Sequence, residues 1–98
     1  MFARVADHAG WTFITSHGAL LLEVARDSEA TVKQLAERAG VTERQAHRVL
    51  ADLVGESYIV RERVGRKNRY RVNDAAPMRH RSVAHRTIGE MLAVLQGP

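Results

Sequence analysis

Apolar residues recur at helical spacing in two adjacent short stretches. Val32, Leu35, Ala36 and Ala39 follow i, i+3, i+4, i+7, and Ala46, Val49, Leu50 and Leu53 repeat the same spacing. Each stretch opens on a capping box, Thr31 with Gln34 and Thr42 with Gln45, a threonine at the N-cap and a glutamine at N3. Gly40 falls just past the last periodic residue of the first stretch, where a left-handed residue closes a helix at little cost. Ala36 is small, as a close helix crossing requires. The pattern predicts two short helices joined by a tight turn, the helix-turn-helix signature. The plainer alternative is an αα-hairpin in some other small helical domain.

The flanking pattern extends this picture. Residues 1–10 carry only a weak apolar stripe at Phe2, Val5 and Ala9, read as an arm or short helix. Thr15 or Ser16 caps a helix running to about Arg26, whose Leu20, Leu21, Leu22, Val24 and Ala25 cover more than one face and so predict burial on two sides. Trp11 and Phe13 are expected as core anchors. The second motif helix ends near Val54 or Gly55. Tyr58 to Val64 reads as a strand, Gly65 to Asn68 as a turn, and Arg69 to Val72 as a second strand, with Tyr58, Val60, Tyr70 and Val72 on one buried face. Residues 73–80 form a connector punctuated by Pro77. A last helix is expected over residues 81–96, with Ala84, Ile88, Met91, Leu92 and Leu95 on one stripe. Gly89 inside it costs up to ~1 kcal/mol relative to Ala, which close approach by another helix would explain. That stripe has no further partner helix in the chain and predicts a homodimer seam; the alternative is that the helix folds back on its own core.

Composition narrows the class. The 98 residues suit one domain with a small core and include no cysteine, so disulfides and thiolate metal sites are excluded. No apolar run approaches a membrane span, and the first ten residues lack the apolar centre of a signal peptide, so a cytoplasmic protein with no membrane partner is expected. Charge is distributed unevenly. Arg61 to Arg86 holds nine basic and two acidic residues, whereas Met1 to Val60 holds six basic and eight acidic ones. A basic back half behind a slightly acidic front argues for a polyanion partner, against a merely solvated charged face. Thirteen of the fifteen basic residues are arginine, the side chain better suited to phosphate and guanine.

The order helix, helix-turn-helix, hairpin resembles winged helix-turn-helix transcription regulators of the broad MarR and ArsR type. The resemblance covers Trp11 to Val72 and the C-terminal helix. It implies a mainly α fold, a three-helix core with a small β-hairpin wing, followed by a C-terminal dimerisation helix that uses Ala84, Ile88, Met91, Leu92 and Leu95. It also implies a homodimer on double-stranded DNA and leaves room for a small-molecule effector that no residue here identifies. One departure stands out: such regulators often carry glycine just before the aromatic that opens the first wing strand, where this chain has Ser57.

The second helix of a helix-turn-helix lies in the major groove and reaches base edges from its N-terminal residues. Here these are Thr42, Glu43, Arg44, Gln45, His47 and Arg48. Arg44 is expected to read a base, and Arg48 a base or a phosphate. Gln45 can pair with adenine but is claimed by capping, and Thr42 suits a phosphate. The resemblance sets the wing along the adjacent minor groove. Arg66 and Lys67 would enter it, with Asn68 beside them, while Arg63, Arg69 and Arg71 hold phosphates or pair with acids such as Glu62.

Rival chemistries find less support. Ser16 and His17 lack the acid and oxyanion loop of a hydrolase, and no glycine-rich phosphate loop is present, so neither an enzyme nor a cofactor is expected. His80 and His85 are five apart and miss a shared helix face, although ArsR-type sensors suggest a metal-responsive repressor through His80, His85 and Glu90 as one alternative. A winged helix serving as a protein–protein module is another. Single-strand RNA recognition is disfavoured by the scarcity of aromatics free to stack.

Overall fold

Each of the four helices in the described part of the chain, residues 12–97 of a computed structural model, begins on a threonine. Helix α1 spans Ser16–Arg26 behind Thr15, α2 spans Val32–Ala39 behind Thr31, and α3 spans Glu43–Gly55 behind Thr42. A two-stranded antiparallel hairpin follows, β1 (Ile59–Val64) and β2 (Lys67–Val72). After a short 3-10 turn at Arg81–Val83, α4 spans Ile88–Gln96 behind Thr87. Thr31, Thr42 and Thr87 all form complete capping boxes, each satisfying two backbone N–H groups that a helix start would otherwise leave bare. Gly40 has φ +74°, the left-handed closure expected between α2 and α3.

Helices α1, α2 and α3 pack on one another, β2 lies against α1, and β1 continues from the end of α3. The core gathers Leu20, Leu21 and Val24 of α1, Leu35 and Ala36 of α2, and Ala46, Val49, Leu50 and Leu53 of α3. Ile59, Tyr70, Ile88 and Leu92 close it from the hairpin and α4. No charged or polar residue is buried as a whole among the described residues, so the core is packed from apolar and aromatic side chains. No described helix is long and apolar enough to cross a membrane.

Several expectations are corrected. Phe13 is no core anchor: it precedes the α1 cap and is 89% exposed, because the inward face of α1 is already filled by leucines and Val24. Trp11 and the N-terminal arm lie outside the described residues. In β1 the inward residue is Ile59, 1% exposed, and Val60 stands outside at 39%. Ser57 sets this one-residue shift. It adopts φ +63°. Its N–H donates to Val54 O, and Tyr58 N–H then donates to Leu53 O, which turns the chain before the strand starts. The hairpin turn is shorter than expected. Val64 pairs with Lys67 across a two-residue loop, Gly65-Arg66, so Lys67 and Asn68 belong to β2. Only Gly65 has positive φ, as a type II′ turn requires.

The largest correction concerns the C-terminus. Helix α4 starts at Ile88, not near Arg81, and Ala84 lies in the turn before it. The connector folds back onto the helix start, with Pro77 bridging Thr87, Ile88 N–H donating to Ala76 O, and Gly89 N–H to Asp74 O. Gly89 is therefore approached by the connector of its own chain and not by another helix. Ile88 and Leu92, expected on a dimer seam, are buried in this chain's own core. The apolar surface that α4 leaves outward is Val94, 79% exposed, and Leu95, 43% exposed, with Met91 half-buried beside them.

Candidate nucleic-acid interface

The α3 start is fixed before any ligand arrives. Gln45 N–H donates to Thr42 Oγ1 at 3.1 Å, and Gln45 Oε1 accepts from Thr42 N–H at 3.1 Å and from its hydroxyl at 3.2 Å. Both side chains are thus committed to the cap, and the Thr42 hydroxyl proton is not free for a phosphate. Ala46, Val49, Leu50 and Leu53 bind α3 to the core. The opposite face therefore carries Glu43, Arg44, His47 and Arg48, all exposed. His47 Nε2 lies 3.8 Å from Glu43 Oε2, one turn away. Arg44 and Arg48 flank a shallow depression with Gln45. One face further along, His17 Nε2 meets Asp52 Oδ2 at 2.8 Å and ties α1 to α3.

The hairpin sorts its charges by face. Directly opposed residues of an antiparallel pair share a face, and neighbours along a strand alternate. Ile59 with Val72, Arg61 with Tyr70 and Arg63 with Asn68 form one face. Val60 with Arg71, Glu62 with Arg69 and Val64 with Lys67 form the other. The second face is partly neutralised. Arg71 Nη2 donates to Glu62 Oε2 at 3.1 Å, and Arg69 Nη2 pairs with Glu29 Oε2 at 2.7 Å while its Nε is enclosed with no acceptor among the described residues. The first face carries no acid. Arg63 Nε donates to Gly65 O at 3.3 Å, bracing the loop, and Arg61 meets no carboxylate among the described residues.

The same division holds across the molecule. Arg26, Arg38, Arg79 and Arg86 pair with Glu23, Asp27, Glu56 and Glu90. Among the described residues, the cations with no carboxylate partner are Arg44 and Arg48 on α3, Arg61, Arg63, Arg66 and Lys67 on the hairpin, and Lys33 and Arg81 elsewhere. Six of these eight lie on the two elements that sequence reasoning singled out. Arg61 was missed there, although it opens the basic stretch from Arg61 to Arg86. Arg69 and Arg71 take the acid-pairing option.

Two carboxyls outside this region are shifted. The Arg38 guanidinium and the Glu29 N–H hold Asp27 below the ordinary carboxylate range. The Thr87 N–H and Arg86 do the same for Glu90. Glu90 is thus occupied by its helix cap. His80 Nδ1 lies 2.8 Å from the Ser82 hydroxyl and accepts from Ser82 N–H at 3.1 Å. No group of three histidine, aspartate or glutamate side chains gathers for a metal ion among the described residues.

Compared with models of known protein families and with curated proteins, the chain matches none.

Proposed function

We propose that this chain is a winged helix-turn-helix protein that binds double-stranded DNA and regulates transcription. Helix α3 enters the major groove, and the β1–β2 hairpin acts as the wing along the adjacent minor groove. The observation that carries the reading is that, among the described residues, most cations without a carboxylate partner lie on α3 and the hairpin, while arginines elsewhere are mostly matched to acids. Arginine without a carboxylate partner on an exposed helix face and hairpin has phosphate as its natural counter-charge and base-edge acceptors as its natural hydrogen-bond partners. With the Thr42 hydroxyl held by Gln45, the phosphate contact at the start of α3 falls to its backbone N–H groups.

A cytoplasmic homodimer completes the reading, with two α3 segments on half-sites about one helical turn apart. Its contact would use Val94, Leu95 and Met91, because Ile88 and Leu92 are occupied in the core.

Fluorescence anisotropy tests the function directly. The full chain is titrated against random duplex and against the region upstream of its own gene, at two salt concentrations. Tight, salt-sensitive binding that favours the upstream fragment is expected. No binding at low salt would remove the DNA reading and put a protein–protein role in its place.

A further inference from the structure

We infer that α3 selects guanine over adenine, with Arg44 and Arg48 reading two guanines about two base-pair steps apart. The inference rests on the reading of α3 as the major-groove element and names what it recognises there. Adenine is read in the major groove by an amide that accepts from N6 and donates to N7 at once. Gln45 is the only amide side chain on α3, and its Oε1 already accepts two hydrogen bonds from Thr42. Its Nε2 is left as a donor without the matching acceptor. Reading adenine with Gln45 means opening the cap that fixes the start of the helix.

Arginine presents donors only, and guanine presents the acceptors O6 and N7 as a pair. Arg44 and Arg48 are exposed, share a face at i, i+4 and have no carboxylate among the described residues to release first. Four residues of α-helix rise about 6 Å. Successive base pairs rise about 3.4 Å, so the two arginines match positions separated by one intervening pair. Glu43 precedes Arg44 and supplies the acceptor that cytosine N4 needs. The recognised pairs on this face are therefore G·C, on either strand.

The test selects duplexes from a random library with the full chain, then measures anisotropy on the enriched sequence. Two guanines separated by one base pair are expected in each half-site. Replacing either by 7-deazaguanine, which lacks the N7 acceptor, should weaken binding roughly tenfold or more. Inosine, which keeps O6 and N7, should leave it unchanged. Arg44→Ala should abolish the response to one of the two 7-deaza positions and leave the other intact. Duplexes bound equally well with 7-deazaguanine, or a selected site read at adenine, would overturn the guanine assignment while leaving DNA binding in place. Failure to enrich or bind any duplex at low salt would overturn both.

Discussion

Gly89 N–H donates to Asp74 O at 2.9 Å, and a Cβ on Gly89 would stand 2.8 Å from Asp74 Cβ and 2.9 Å from that same oxygen. The connector therefore passes over the first turn of α4 at a distance only glycine allows. Gly89→Ala should lower stability even though alanine is the better helix former by ~1 kcal/mol. The melting temperature should fall by roughly 4–8 °C for each kcal/mol lost. Gly55→Ala is the matched control. Gly55 is helical with open space around it, so the same exchange there should raise the melting temperature. A rise at both positions would mean that the connector yields freely.

Ser57 holds a left-handed backbone, φ +63°, without glycine's freedom. A residue with a Cβ is disfavoured there by roughly 1–2 kcal/mol. Ser57→Gly should relieve part of this, offset by the larger entropy of the unfolded glycine chain, and stabilise by about 0.5–1 kcal/mol. The carbonyl of residue 57 would still accept from Asn73 Nδ2, so the hairpin anchor survives. Chemical denaturation of Ser57→Gly beside Ser57→Ala checks this. Equal stabilities for the two would show that the backbone angle is not what matters.

The unequal faces of the hairpin predict unequal salt dependence. If Arg61 neutralises a phosphate, Arg61→Ala should weaken all duplexes alike and reduce the slope of log affinity against log salt by about one. Arg71→Ala should change the slope far less, because a phosphate reaching that side also meets Glu62. A full unit lost with Arg71→Ala, and none with Arg61→Ala, would invert the assignment of faces.

Asp27 and Glu90 give the fold a predictable acid limb. Both carboxyls are held below their ordinary values, Asp27 first by its bond to Arg38 and Glu90 first by the Thr87 N–H. A group whose affinity for protons is lower folded than unfolded stabilises the fold above its unfolded pKa, and loses that contribution as pH falls through the folded one. Stability should therefore decline as pH drops below about 5, where unfolded carboxylates begin to bind protons. Glu90→Gln keeps the capping box but removes the titration, and Asp27→Asn removes the other. The double variant should show a shallower decline in urea midpoint with acid than the parent.

The helical half of the fold was legible in the sequence because its signals are local. Thr31, Thr42, Gln34, Gln45 and Gly40 each act within one turn of where they stand. The same rule reached α4 only in part. Thr87 and Glu90 form a capping box as clear as the other two, but the apolar stripe from Ala84 onward drew the start too early. Phe13 and Val60 were misplaced for a different reason. An apolar residue goes inward only if the chain's path brings it there, and that path is set by Ser57 and by leucines elsewhere. The candidate site was readable as a set of charges. Which of those charges are already matched was not, because Arg69 finds Glu29 and Arg79 finds Glu56 across long stretches of chain.

The two-residue loop Gly65-Arg66 fixes more than the length of the hairpin. Strand residues alternate sides with a period of two, so sliding β1 by a single residue against β2 would turn all its side chains over. Arg61 and Arg63 would trade places with Glu62, and Ile59 would leave the interior. A slip of one residue in register would thus reverse the polarity of the hairpin without altering a single charge in the chain. Gly65, whose positive φ closes the two-residue loop, thus helps set which side of the hairpin carries Arg61 and Arg63.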